Sequence, residues 1–439
     1  MAARGPGGQS VDMPPRSANA YWITVALATS GVFACGETTL ETSAAALTAS
    51  ATVKHVVVIV QENHSFDSYF GTWCQAPAYS NPTCTNGAAC CEAAPVTDAA
   101  GASPVLLTDA LNGSYSPNHA STCEQSEING GRMDQYTTAA CGDPRNFALA
   151  EGAVGIYRRR AADFAIVDRY FQPIVGASSS NDMYFATARA KFVDNQFEPL
   201  AVGHGCSTNR QTVQYSDVTL MDLLAAHGVR STWYAEGYQA MAEAWTCPDV
   251  PADCTSDLYF PCIYDPGDIP AAYFGSTADN PAHIKDYGQY KRDLFAGTIP
   301  EASFIKALNH HSEHPDWGTS IRDGVAIVVD TVAAIELSRY RHDTLVLLTW
   351  DESGGYYDHV PPPAAIQMDG QSYGPRVPLL ALGPLARRGT VSHVELEHSS
   401  IVKFIEWNWL GKTGLLHARD AVVNNLGSLL DPALGVPEK

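Results

Sequence analysis

Glu62 and Asn63 close one short aliphatic run of this chain, and Asp351 and Glu352 close another. The first run is Val56-Val57-Val58-Ile59-Val60, the second Leu345-Val346-Leu347-Leu348. Three carboxylates beside an amide oxygen form a hard oxygen set, the kind that holds a divalent cation. Calcium, magnesium, manganese and iron all suit such a shell.

The elements that would bring these residues together follow from the runs themselves. A continuous β-branched and aliphatic stretch of this length predicts a strand buried on both faces, as in a parallel α/β sheet. In such sheets ligands sit beyond the carboxyl ends of the strands, so both sets of acids converge on one edge. Helices alternate with these strands. Ala161 to Phe171 reads as helical, Thr219 to Val229 as a helix ended by Gly228, and Ser231 to Ala235 as the next strand. Val325 to Leu337 is the helix that feeds the second acidic strand. Pro378 to Pro384 is a further short strand, and Ser399 or Ser400 caps a last helix. The expected architecture is a three-layer α/β/α sandwich around a mostly parallel central sheet. Arg158-Arg159-Arg160 reads as a solvated helix face.

The chain has 439 residues, 45% hydrophobic and 17% charged, enough for a large core. A formal charge of −20 argues against nucleic acid as a partner, because that affinity comes from neutralising phosphates. It does not exclude a phosphate ester, since a bound cation would dominate the local field. Arg4 and Arg16 precede an apolar stretch from Ala20 to Ala34, too short for a comfortable membrane span. Residues 1–35 therefore read as an export signal, with Cys35 after Val32-Phe33-Ala34 as a candidate lipid acceptor and membrane tether; cleavage near Ala44-Ala45-Ala46 is the alternative. Residues 36–52 are a small, polar linker, and 53–435 the catalytic domain. Setting Cys35 aside leaves ten cysteines of the eleven, six of them between Cys74 and Cys141. None is spaced as a CxxC pair, so disulfides in an oxidising compartment explain them better than zinc. Residues 74–141 become a loop-rich insertion pinned by disulfides, placed to shape a pocket mouth. No protein partner is expected.

Four blocks in order carry a resemblance. Glu62 to Gly71 resembles the opening motif of the bacterial phosphoesterase family that holds the non-zinc phospholipases C and the AcpA-type acid phosphatases, within the alkaline-phosphatase-like superfamily. Gly176-Ala177-Ser178-Ser179-Ser180-Asn181-Asp182-Met183-Tyr184 resembles its nucleophile block, usually Gly-Pro-Ser/Thr-x-Pro-Asn-Arg-x-Tyr. Glu313-His314-Pro315 and Trp350 to Pro362 match the later blocks, and Gly374 to Pro378 and Glu397 to Ser400 fit the closing stretches.

The resemblance implies an alkaline-phosphatase-like fold over residues 53–412 and a metal held by Glu62, Asn63, Asp351, Glu352 and Ser178. It implies Ser178 as a nucleophile passing through a phosphoserine, with Asn181 and Glu313 contacting substrate. His314 and His359 take the roles of leaving-group acid and transition-state stabiliser. Ala177, Ser180 and Asp182 replace the family's Pro, Pro and Arg, so Ser179 and Ser180 stay rival nucleophiles. His64, Asp67 and His398 are weaker site candidates, Gly354 and Gly355 permit a tight turn, and Asp358 orients His359 or its loop. Small-molecule phosphate esters and phospholipid head groups are the implied substrates. Family phospholipases C usually carry C-terminal β-rich modules, which tilts this shorter chain towards a phosphatase. A binding lipoprotein that retains the pocket without turnover is the alternative from another class.

Overall fold

In the computed structural model the residues described are 53–244, 246–249, 262–364 and 368–439. The expected signal, Cys35 and linker lie outside them. Eight strands form the main sheet: β1 (His55–Gln61), β2 (Ala165–Val167), β3 (Ser231–Ala235), β4 (Ile284–Asp286), β5 (Ala302–Lys306), β6 (Thr344–Trp350), β7 (Leu379–Leu382) and β8 (Thr390–Ser392). Their order is β8-β2-β7-β6-β1-β5-β3-β4. Every pairing is parallel except the two made by β7, which runs against β6 and β2. All seven residues of β6 and six of the seven of β1 are buried. Such burial requires cover on both faces, which is why these strands read as unbroken aliphatic runs.

The cover comes from helices in two groups. α1 (Phe66–Phe70) and α2 (Ser121–Ile128) precede the first group, which packs α3 (Ser178–Thr187), α4 (Leu220–Ala226) and α7 (His398–Leu410) together. In the second, α5 (Tyr287–Ala296) lies against α6 (Ile321–Glu336). This is the expected three-layer arrangement. Thr219 caps α4 in a reciprocal box with Asp222, and Ser320 caps α6, which begins four residues before the expected start.

Two sequence expectations are corrected. The helix around Ala161 runs Gly155–Asp163, and Ala165–Val167 is strand β2, held between β7 and β8. A short buried apolar run does not distinguish helix from strand by periodicity. The last helix is capped by Glu397 rather than a serine; its carboxylate accepts from Ser399 N, and Ser400 completes the box. The arginine run is also less solvated than expected. Arg158 donates to the Tyr69 and Ala150 carbonyls and Arg160 pairs with Glu336, leaving Arg159 as the exposed member.

Among the described residues the insertion carries three disulfides, Cys74–Cys91, Cys84–Cys90 and Cys123–Cys141, and a fourth joins Cys206 to Cys247. The ordered body continues past residue 435, where Asn425 N donates to the Glu438 carbonyl at 2.7 Å. No helix among the described residues is long and apolar enough to cross a membrane.

Candidate active site

Strand register brings the first residues together. In the parallel β1–β6 pair Gln61 lies beside Trp350, and on the other side of β1 Val60 lies beside Lys306. The residues that follow emerge at one edge: Glu62 and Asn63 after β1, Asp351 and Glu352 after β6, and Lys306 as the end of β5. All five are essentially excluded from solvent. Asn63 takes a left-handed backbone (φ 59°), a conformation Asn tolerates better than most residues. Its N–H donates to Asp351 Oδ1 at 3.1 Å, which ties the two strand ends. Gly354 (φ 68°) passes so close that a Cβ there would stand 2.3 Å from the Asn63 carbonyl oxygen, so the expected tight turn is present and requires glycine.

Ser178 opens α3, and its hydroxyl lies beside the end of the first strand. Its Oγ lies 3.4 Å from Glu62 Oε2 and 3.2 Å from Asn63 Oδ1. Ser180 instead donates its hydroxyl to the Ala177 carbonyl within the first turn, and Ser179 N donates to Asn195 Oδ1. The hydroxyl of Ser178 thus sits at the N-terminus of a buried ten-residue helix, where backbone N–H groups favour an anion.

The electrostatics are lopsided. Lys306 Nζ stands 2.6 Å from Glu62 Oε1, 3.1 Å from Asp182 Oδ2 and 4.0 Å from Asp351 Oδ2. One ammonium therefore faces a group of buried acids. Burial, with repulsion from Asp351, pushes the Glu62 carboxyl up to about 8 despite Lys306, and the same causes hold Glu352 well above the carboxylate range. Asp351 Oδ2 and Glu352 Oε1 are buried oxygens without a hydrogen-bond partner. Orphaned carboxylate oxygens at an acidic strand edge fit a divalent cation, which would relieve both the unmet acceptors and the excess charge.

A tighter acidic group lies elsewhere. Ligand atoms of Asp67, Asp358 and His359 come within 4.8 Å of one another. The Arg376 guanidinium already serves it, donating to Asp67 Oδ1 at 3.0 Å and Asp358 Oδ1 at 2.8 Å. A cation there would have to displace a buried arginine.

Three residues expected to meet substrate are engaged internally. His359 has Nδ1 2.7 Å from Asp67 Oδ2 and Nε2 2.8 Å from Glu92 Oε2, with its side chain fully buried. Although burial opposes the charged ring, these two carboxylates raise its pKa to about 9. With both nitrogens engaged, His359 ties the insertion to the β6 loop. Glu313 accepts from Tyr69 OH at 2.6 Å, from Gln61 Nε2 and Trp350 Nε1 at 3.2 Å each, and from Tyr157 OH. Its neighbour across α6 is Gly324, where a Cβ would meet Glu313 Cγ at 2.2 Å. Asn181 accepts from Ile174 N at 3.2 Å and donates to the Gly176 carbonyl at 2.6 Å. It pins the loop that presents Ser178.

His314 is buried, stacks on Trp317 at 5.1 Å, and donates from Nδ1 to the Pro315 carbonyl at 2.6 Å. Burial, followed by repulsion from His119, lowers its pKa to about 3, a shift that favours the neutral ring. The weaker candidates take positions that brace the loops. His64 contacts the Glu62 carbonyl and Asn112 between Tyr69 and Tyr356, Asp67 serves His359 and Arg376, and His398 reaches from Tyr170 OH to the Asp351 carbonyl.

Sequence reasoning missed Lys306, Glu124 and His119. Lys306 had a signal, since Ala302 to Lys306 is a third short strand that ends in a charged residue. Glu124, on α2 beside Cys123, accepts from Gly176 N at 2.7 Å and Ser353 Oγ at 3.0 Å, joining the insertion to the Ser178 loop and to the loop after β6. His119 Nε2 lies 3.8 Å from Glu352 Oε1, and its ring meets His314 edge-on. It lines a cavity of about 820 Å³ between residues 116–121 of the insertion, Ala177 and Trp317. Ala177, which precedes Ser178, borders the same cavity.

Comparison with known proteins agrees in class. The chain is 25% identical over 423 residues to the hemolytic phospholipase C of Pseudomonas aeruginosa, covering 86% of this chain and 56% of that protein. It is 25% identical over 418 residues to non-specific phospholipase C6 of Arabidopsis thaliana, covering 84% and 70%. The chain thus spans little more than half the length of its Pseudomonas relatives. Among solved structures it is similar to an alkaline phosphatase superfamily protein from Vibrio parahaemolyticus, with TM-score 0.37, 10% identity and coverage of 84% of this chain and 70% of that one. The lipoteichoic acid synthase LtaP from Listeria monocytogenes gives 0.39 and 8%, covering 88% and 77%. A model of the Phosphoesterase family matches residues 53–410.

Proposed function

This chain belongs to the Phosphoesterase family, and on that premise we propose that it is a metal-dependent hydrolase of phosphate mono- or diesters acting through a phosphoserine on Ser178. The observation that carries the reading is the Ser178 hydroxyl, poised between Glu62 and Asn63 at the start of α3. Glu62, Asn63, Asp351, Glu352 and Ser178 would hold the cation. Once bound, a divalent ion of the calcium, magnesium, manganese or iron type would neutralise ester charge and acidify the serine hydroxyl.

The chain's own groups account for the rest. Ser178 Oγ gives up its proton and forms the new bond to phosphorus as the ester's P–O bond breaks, and that proton passes to the departing oxygen. Water then cleaves the phosphoserine and restores the hydroxyl. The dipole of α3 favours the phosphoryl anion at the helix start. His119 lines the cavity through which a leaving alcohol would depart. Asn181 and Glu124 hold the Ser178 loop in register.

Phospholipid head groups and smaller phosphate esters share this chemistry, and the names of the relatives favour the former. We further propose that the chain is exported. The basic and apolar N-terminal stretch supports it, and four disulfides among the described residues suit an oxidising compartment. Lipidation at Cys35 would then tether it to a membrane surface.

Hydrolysis of p-nitrophenyl phosphate and p-nitrophenyl phosphorylcholine, measured side by side, tests the reading. Turnover of either ester, abolished by S178A and by EDTA, is the expected result. Full activity in S178A would remove Ser178 from the mechanism, and no turnover of either ester with any of the four metals would favour a binding protein on the same fold.

A further inference from the structure

Asp182 stands on the second turn of the Ser178 helix and is fully buried there, a negative charge that needs a partner inside the protein. The compensating charge arrives from another element. Lys306, at the end of β5, reaches Asp182 Oδ2 at 3.1 Å and Glu62 Oε1 at 2.6 Å, and both partners are buried with it. The other oxygen of Glu62 is the one that faces the Ser178 hydroxyl. We infer that Lys306 is a positioning and charge-setting residue of this site: clasped by Asp182, it turns Glu62 towards Ser178 and offsets the acids enough for an anionic ester to enter.

This inference rests on the reading of Ser178 as nucleophile, and two opposed effects separate it from a merely structural role. Glu62, Asp182 and Asp351 place oxygens within 4.0 Å of one ammonium, and Asp268 lies near enough to act on it as well. Removing that charge leaves the acids freer to bind a divalent ion, because like-charge repulsion at a few ångströms in a dry site is large. Removing it also releases Glu62 and increases the negative charge an ester must approach, which slows turnover. A protein that had only lost stability would lose metal affinity and activity together.

The experiment compares wild type, K306M and K306R by calorimetric titration of the metal-stripped full chain with Mn²⁺, and by kcat on p-nitrophenyl phosphate. K306M is expected to bind Mn²⁺ about tenfold tighter or more, with kcat reduced by about 10- to 100-fold, the range for lost support of a metal ligand. K306R, which keeps the charge, is expected to return Mn²⁺ affinity to within about threefold of wild type. D182N covers the case in which K306M does not fold. It keeps the cation and removes one acid, so Mn²⁺ affinity falls instead of rising. Unchanged or weaker Mn²⁺ binding in folded K306M, or unchanged binding in D182N, overturns the inference, as does a K306M kcat within threefold of wild type. If wild type hydrolyses no ester, the proposed function falls, and the Mn²⁺ titrations still decide the role of Lys306.

Discussion

Replacing His359 with asparagine removes two charge-assisted contacts from the interior, one to Asp67 and one to Glu92. Each such contact contributes about 1.5–3 kcal/mol. Both carboxylates keep another cationic partner, Asp67 in Arg376 at 3.0 Å and Glu92 in Arg169 at 3.3 Å, so the loss belongs at the lower end, about 3 kcal/mol in total. The raised pKa leads to the same size independently. A rise from 6.5 to about 9, at about 1.4 kcal/mol per unit, corresponds to about 3 kcal/mol. The sign follows from the direction: the contribution is full below pH 6.5 and is lost as pH rises through about 9. Urea unfolding of wild type and H359N at pH 6 and at pH 9.5 is the assay. The gap should be about 3 kcal/mol at pH 6 and should nearly close at pH 9.5, while folded H359N keeps kcat within about threefold, as expected for a residue outside the reacting atoms. A gap below about 1 kcal/mol at pH 6, or a kcat lowered about 100-fold in a variant of wild-type stability, would refute the assignment of His359 as a brace.

Two further perturbations separate bracing from chemistry. E124A unties Gly176 N and Ser353 Oγ from α2, and kcat should fall about 10- to 100-fold while Mn²⁺ affinity stays within about threefold, measured by steady-state kinetics and calorimetry. E313Q exchanges an acceptor-only carboxylate for an amide facing the donors of Tyr69, Tyr157, Gln61 and Trp350. The unfolding free energy at pH 6 should drop by about 1–3 kcal/mol with the KM for p-nitrophenyl phosphate unchanged; a large rise in KM without loss of stability would restore Glu313 to the substrate.

Much of this architecture was legible because it follows from local rules. The buried runs of β1 and β6 announce parallel strands, and their terminal acids announce where the site lies. The register that pairs Gln61 with Trp350 then makes Glu62 and Asp351 neighbours. Side-chain roles were less legible, since a residue type does not reveal its partner. His359 finds Asp67 and Glu92 across 292 and 267 positions of sequence, and Glu313 finds Tyr157 across 156. Asn181 is the reverse case, where a local contact to Gly176 takes the amide that the motif assigns to phosphate. Choosing Ser178 over Ser179 and Ser180 required the phase of α3 against the strand ends, which no spacing within the serine run supplies. Lys306 was overlooked because β5 ends in a cation where the neighbouring strands lead into acids, although its strand has the same form.

The central claim is that Ser178 carries the phosphoryl group, and trapping it is the most direct measurement. The full-length protein, loaded with Mn²⁺ and saturated with p-nitrophenyl phosphate, would be quenched in acid during turnover, digested, and its peptides sequenced by mass spectrometry. The account predicts a phosphoryl group on Ser178, absent from S178A and from EDTA-treated protein. Phosphate on Ser179 or Ser180, or turnover with no phosphoserine in the 176–184 segment, would contradict it.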